Sequence, residues 1–454
     1  MLPLVVIPPT IEKFTKGYQD LFSPEQYEHF KRYLTGLLVS ENKTIQAING
    51  SFVVEVKNQS SLNRFLTQYH WSTEAVNERR LELLRNDPAT TPKKHAVLIV
   101  DDTHNEKYGE HFPLLGKWFI PLAKHYGLSH NVVTIHYADR KVDYPLALRW
   151  HQQMDIEQTV EWIKEHNIRY RPEVLERKKK DSQKRQYLGD VLKRVQRDYP
   201  GLPIPFKNKL DLACELINWA VEKGYRYPII MDSWYTVRQV CEHIANKNLI
   251  YVGTVQPDSR VYFKGKWVTI QQWYEQLPDK AFEPVRFRYR QRETMEKYWA
   301  TAATQQVNQL GRVRLVASHQ KQDRSDEPRF YVSNYLQWEL SYLLGRRNLR
   351  WPVETSYEDT KGPLGFDKYE LRDEEGIRRH WTLVFAAYSA SRQANAQGRW
   401  GNWLKAKLQT IGDVSRQVQG EALAALITFA IAEMAQGRAT REIVSQLVSH
   451  LRPS

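Results

Sequence analysis

The 454-residue sequence predicts a mixed α/β fold, helical at both ends and β-rich late in its middle. Three observations carry that reading. The segments HAVLIVDD (95–102) and YPIIMD (227–232) are short apolar runs ending in acid, as strands buried on both faces of a covered sheet do. An amphipathic helix, KLDLACELINWAVEKG, precedes the second run, and a helix and a strand follow it, the alternation of an α/β core. From about 256 to 330 the sequence turns β-rich, and at Arg286, Phe287, Arg288, Tyr289 and Arg290 aromatics and arginines alternate, which puts a basic face opposite an aromatic one.

Taken in order, residues 1–92 read as helical. Ser23 before Pro24-Glu25-Gln26 is an N-cap, and Tyr27, Phe30, Tyr33, Leu34, Leu37 and Leu38 recur at helical spacing. Leu62, Phe65, Leu66 and Tyr69 mark a second helix. Ser72 or Thr73 caps a third, which carries Val76, Arg79, Arg80 and Leu83. Two short helices at a tight junction suit a DNA-reading module in which Arg64, Arg79 and Arg80 touch phosphates; an ordinary helical bundle is the alternative.

The core spans 93–255. The pieces GKWFIPLAKHYG and NVVTIHYADRKVDYPLALRW read as two strands. The run ERKKKDSQKRQYLGDVLKRVQRD is either a solvated face or a surface along DNA. Gly224 ends the helix before Asp232, and TVRQVCEHIANKN and LIYVGTVQ complete the alternation. RVYFKGKWVTI, VRFRYRQRETM, GRVRLVASH and RFYVSNY are the strands of a β-rich insertion, 256–335. A second part of the core takes 336–395, and a helical region takes 396–454, with breaks near 398–401 and at Gly412.

Lys plus Arg number 66 against 52 acids, a net charge of +14, which favours a polyanionic partner. Two cysteines, Cys214 and Cys241, are too few for a disulfide framework or a thiolate zinc site, and fit a reducing, cytoplasmic setting. The start, MLPLVVIPPTIEKF, reads as neither a signal peptide nor a membrane span. The apolar run Ala422 to Met434 is shorter than the ~20 residues a spanning helix needs, so a buried helix is expected there and no membrane partner.

The most specific stretch is 346–380, RRNLRWPVETSYEDTKGPLGFDKYELRDEEGIRRH. Pro352 suits a first helical turn, and Gly362-Pro363 stops the helix, with the glycine as a left-handed cap. Glu354 and Lys361 lie seven apart, on one face, and Arg350 just before the helix folds back toward it. Arg350, Glu354 and Lys361 at this spacing resemble the last three letters of the Tyr-Arg-Glu-Lys signature of cut-and-paste insertion-sequence transposases, the insertion-sequence-four-like group. Leu364-Gly365, Tyr369, Arg372, Gly376-Ile377 and His380 are similar to that family's downstream run. Arg347 stands where the family has tyrosine.

The resemblance implies an RNase H-like core with a triad of one aspartate of the pair Asp101-Asp102, then Asp232, then Glu354. Asp102 directly precedes threonine, as the family's metal acid does, and is chosen, with Asp101 in reserve. Such a cluster repels itself in water and persists around cations, and its hard oxygens select Mg²⁺ or Mn²⁺, in two-ion catalysis of phosphoryl displacement. The implied partners are double-stranded DNA and further copies of the chain, as a homodimer or higher synaptic assembly. Arg347, Arg350 and Lys361 are expected to grip DNA, and Trp299, ahead of Trp267 and Trp273, to stack a flipped base. The competing readings are a non-catalytic DNA-binding protein on this fold, and a nuclease or resolvase that cuts without strand transfer. No HExxH and no Gly-rich phosphate loop occurs.

Overall fold

The computed structural model describes residues 2–109, 111–121, 123–288, 295–397, 408 and 410–448. Five helices open the chain: α1 (Pro9–Thr15), α2 (Pro24–Val39), α3 (Ile45–Gly50), α4 (Gln59–Thr67) and α5 (Thr73–Asn86). The caps follow from side-chain chemistry. Ser23 Oγ accepts from the Gln26 N–H while Gln26 returns a bond to the Ser23 N–H, and Ser72 Oγ caps α5.

Strands β1 (Val97–Glu106), β2 (Gly116–Ile120), β3 (His125–Ala138) and β4 (Asp143–His151) come next. Three strands, not two, therefore fill 116–151. Helices α6 (Ile156–Glu165), α7 (Pro172–Glu176), α8 (Asp181–Asp198) and α9 (Lys209–Glu222) lead to β5 (Ile229–Met231), α10 (Arg238–Asn246) and β6 (Tyr251–Val255). Gly224 takes φ +83° just past α9, which only glycine does at little cost. Then follow β7 (Arg260–Phe263), β8 (Lys266–Thr269), α11 (Ile270–Glu275), β9 (Glu283–Arg288), β10 (Met295–Val307), β11 (Gly311–His319) and β12 (Arg329–Ser333). Helices α12 (Leu340–Asn348), α13 (Trp351–Lys361), α14 (Glu374–Gln397), α15 (Ile411–Ala435) and α16 (Thr440–Leu447) end the described chain.

The twelve strands among the described residues join one mixed sheet, ordered β2-β3-β1-β5-β6-β12-β11-β10-β7-β8, with β4 also on β3 and β9 on β10. β1, β5 and β6 run parallel to one another; the other pairings are antiparallel. The segment after 256 is thus hydrogen-bonded into the core sheet where β12 returns onto β6, Phe330 opposite Val255.

Because side chains alternate across a strand, β1 feeds two cores. Val97 and Ile99 face Ile230, Val252, Leu343, Leu349 and Val353, the side covered by α12 and α13. Leu98 and Val100 face the opposite core, with Leu216 and Ala220 of α9 and Val240 of α10. The amino-terminal helices close that side by packing on α14: Arg379 donates to the Leu66 carbonyl at 3.0 Å, and Trp71 lies under the same guanidinium.

Several expectations are corrected here. β1 does not end at its two acids but continues to Glu106, held along its whole length by β3. Gly362 stops α13 at φ −63°, outside the left-handed region; the left-handed glycine is Gly365, at φ +72°. Gly412 lies inside the first turn of α15 rather than breaking it, and the break expected at 398–401 falls outside the described residues. The run Ala422 to Met434 is not a buried helix: beyond Ala422, α15 exposes Leu423, Ile427, Ile431 and Met434. Among the described residues α15 is the one helix long and apolar enough to cross a membrane.

Candidate active site

The carboxylates meet where the parallel strands end. β1 and β5 pair in parallel with Val100 opposite Met231, so the next residues, Asp101 and Asp232, lie side by side. Asp101 follows Val97 and Ile99 on the side of the sheet that carries α13, and Glu354 sits in the first turn of that helix. Between them lies Arg350, which donates to Asp101 Oδ2 at 2.6 Å and also to Glu354 Oε1. One guanidinium therefore ties the sheet to the helix.

Asp102, one residue on, points to the opposite side. Lys209, at the start of α9, donates to its Oδ2 at 2.6 Å, and Asn131 donates to the same oxygen at 2.8 Å. The Tyr235 hydroxyl donates to Oδ1 at 2.9 Å. His104 and His151 complete this polar pocket through Asn131. Asp232 Oδ1 accepts from the backbone N–H groups of Trp234 at 3.0 Å and Tyr235 at 3.2 Å.

The electrostatics differ between the two sides. Burial pushes the Asp101 carboxyl up to about 7, and the neighbouring Asp232 and Asp102 add to the push against the pull of Arg350. Burial likewise raises Asp232, partly offset by the N–H of Tyr235. Burial would raise Asp102 as well, but the Lys209 ammonium and the bonds from Asn131 and Tyr235 outweigh it and hold that carboxyl below its usual range. For Asp101 the one arginine does not outweigh burial, whereas Asp102 has its ammonium and two further donors. Among the described residues no three His, Cys, Asp or Glu side chains stand close enough to hold a metal ion, and Arg350 fills the gap.

Other expected site residues are placed as follows. Lys361 donates to the backbone carbonyl of His104 at 2.6 Å, fastening the end of α13 to β1. Arg347 lays its guanidinium 4.9 Å from the centre of the Tyr331 ring. Arg64 is exposed on α4, beside Ser60. Arg79 is committed to a two-pronged bond with Asp20 and to the Gly17 carbonyl. Arg80 corrects the expectation outright: it is 1% exposed and donates to Ser389, Asn77 and the Leu146 carbonyl, facing the core and not a phosphate. Trp299 is half-buried in β10, four strand spacings from β5, ~19 Å at ~4.8 Å each. Trp273 is a core residue, and Trp267 lies on the sheet's far edge strand.

Against known families, residues 18–321, about two thirds of the chain, match the family described as DDE superfamily endonuclease. The chain belongs to this family. Among curated proteins no match is found. The family match takes in Asp101, Asp102 and Asp232 and stops before Glu354.

Sequence reasoning missed Lys209, Asn131 and Tyr235, which clasp Asp102, and two tryptophans beside the acids. Trp234, 63% exposed, follows Asp232 by two positions, and Trp351, 58% exposed, is the first residue of α13. Proximity in sequence to the chosen acids was the available signal for both.

Proposed function

We propose that this DDE endonuclease is a DNA transposase with an RNase H-like core, using Asp101, Asp232 and Glu354 as its triad. The observation that carries the reading is that Arg350 joins Asp101 to Glu354, while Asp232 lies beside Asp101 at the end of the paired strand, three carboxylates far apart in sequence. Asp101 replaces Asp102 as first acid because it shares a side of the sheet with Glu354, whereas Asp102 is neutralised behind it by Lys209.

The donor set suits Mg²⁺ or Mn²⁺, as two ions. All three groups are hard oxygen donors, two of them carry unrelieved cost as anions, and a cationic side chain now lies between two of them. When bound, such ions supply activation of the attacking oxygen and stabilisation of the leaving one. The chain's own residues do the rest. Arg350 leaves the acids for the scissile phosphate, which its planar fork can grip through two oxygens. Lys361 holds α13 at a fixed height on β1, so Glu354 keeps its reach to Asp101. Tyr235 couples the two sides: its hydroxyl fixes Asp102 while its N–H fixes Asp232.

In this reading the enzyme hydrolyses a phosphodiester at each transposon end and then uses the freed 3′-OH to attack target DNA. Two ends require two active sites, hence a homodimer or larger synaptic assembly. Exposed tryptophans close in sequence to the acids, Trp234 and Trp351, are the residues that stack on bases at the cut in this reading, ahead of Trp299. The experiment is incubation of the purified chain with duplexes carrying the DNA that flanks its own coding sequence, with Mn²⁺. Cleavage followed by joining to a supercoiled target, both lost in Asp101→Asn, is expected. Cleavage without joining would make it a nuclease, and binding without either would make it a non-catalytic DNA-binding protein.

A further inference from the structure

Between β4 and α9 the chain leaves the sheet to build a small helical unit of α6, α7 and α8 around its own core of Met154, Ile163, Leu188, Val191 and Leu192. Residues 169–197 of this unit hold eleven basic residues against four acidic ones. Several cations elsewhere are paired, Arg79 with Asp20, Arg350 with Asp101 and Glu354, Arg392 with Asp143, and at the end of this unit Arg197 is paired with Asp198. Lys178, Lys179 and Lys180, between α7 and α8, have no carboxylate partner among the described residues, and Lys179 and Lys180 are exposed, as are Arg169, Arg171 and Arg177.

The unit is a platform and not a loose tail. The Tyr187 hydroxyl accepts from the Arg171 N–H and donates to its carbonyl, pinning the approach to α7, and Arg185 Nε donates to the Met154 carbonyl at 2.9 Å. Both of its connections are rooted beside the acids. It departs from His151, which pairs with Asn131 at 2.9 Å, and returns at Lys209, which holds Asp102. A fixed surface of positive charge on the Asp102 side of the sheet, built on its own core, has an electrostatic cost that a polyanion removes.

We infer that the α6–α8 unit, centred on Lys178, Lys179 and Lys180, is a sequence-independent binding surface for the phosphate backbone of duplex DNA passing along the Asp102 side of the sheet. The inference rests on the DNA-cleaving reading above and adds where the flanking duplex lies. Phosphate contacts of this kind set affinity and salt dependence, not sequence preference.

The test uses the full chain with all three lysines changed to Gln, and a control in which the exposed Lys264, Lys266 and Lys280 are changed to Gln. Binding to two duplexes of unrelated sequence is measured as a function of salt, with thermal midpoints checked for both variants. The slope of log K against log salt is expected to fall by about 2–3 in the first variant, ~0.9 for each phosphate no longer neutralised, equally on both duplexes, and to stay near wild type in the control. An unchanged slope in the first variant overturns the inference. So does an equal fall in both variants, which would make the effect one of total charge. Failure of the unmodified chain to bind any duplex would instead remove the DNA-cleaving reading itself.

Discussion

Arg350 and Asp101 stand 249 positions apart in sequence, and their side chains are 2.6 Å apart in space. The same guanidinium holds Glu354, so in the absence of a divalent ion one arginine neutralises two acids of the proposed triad. Replacing it by alanine leaves buried carboxylates facing one another. Arg350→Ala should lower the thermal midpoint in chelator, and added Mn²⁺ should raise it by more than in wild type, because an ion that binds only the folded state stabilises it by mass action. Equal rises in the two proteins would separate Arg350 from the ion site.

Asp101 and Asp102 offer a direct comparison. Asp101→Asn should reduce cleavage by ~10³-fold or more, the several kcal/mol expected when a ligand of a two-ion site is removed. Asp102→Asn keeps a side chain that can still accept from Tyr235 and should retain measurable cleavage. The reverse order of activities would return the triad to Asp102.

The burial of Arg80 makes a stability prediction and not a binding one. Arg80→Ala abandons three acceptors in the core, Ser389 among them, at a cost of ~2–4 kcal/mol of unfolding free energy. Chemical denaturation should show that loss, while the DNA affinity of the folded fraction stays at wild type. A weakened salt dependence of binding with unchanged stability would contradict it.

Base stacking should follow exposure. Trp234→Ala or Trp351→Ala should weaken cleavage by an amount matching ~1–3 kcal/mol per stacked base, and Trp299→Ala should not. With Arg347 in the tyrosine position and its guanidinium laid on Tyr331, the ends are expected to be released by double-strand cleavage. Denaturing electrophoresis of an end-labelled linear substrate reads both points. A dominant product of twice the strand length would establish a hairpin route instead.

Much of this was legible in the residues. The strand preceding Asp232, the helix α9 with its Gly224 stop, and the Ser23 and Ser72 caps all follow from local chemistry that tertiary packing did not override. The choice between Asp101 and Asp102 was not legible, for a physical reason. Alternation separates the two faces of a strand, but β1 is apolar on both, so the pattern does not say which face meets Glu354. Arg80 escaped notice because an arginine hydrogen-bonded in a core and one on a phosphate look alike in a helical repeat. The distance of Trp299 from the acids was not legible either, because it is set by β6, β11 and β12 standing between, a matter of strand order.

That strand order also governs when the protein becomes able to act. β5 and β6 are flanked by β1, made early, and by β12, made some seventy residues after β6, and the first acid waits for a helix that follows β12. The amino-terminal helices wait longer still, for α14. Pairings between such distant segments form slowly, since loop closure must precede the interactions that reward it. On a ribosome, Glu354 can reach Asp101 only once α13 has emerged, so on the proposed triad a chain cut short before residue 354 would carry both aspartates and yet be unable to cut DNA.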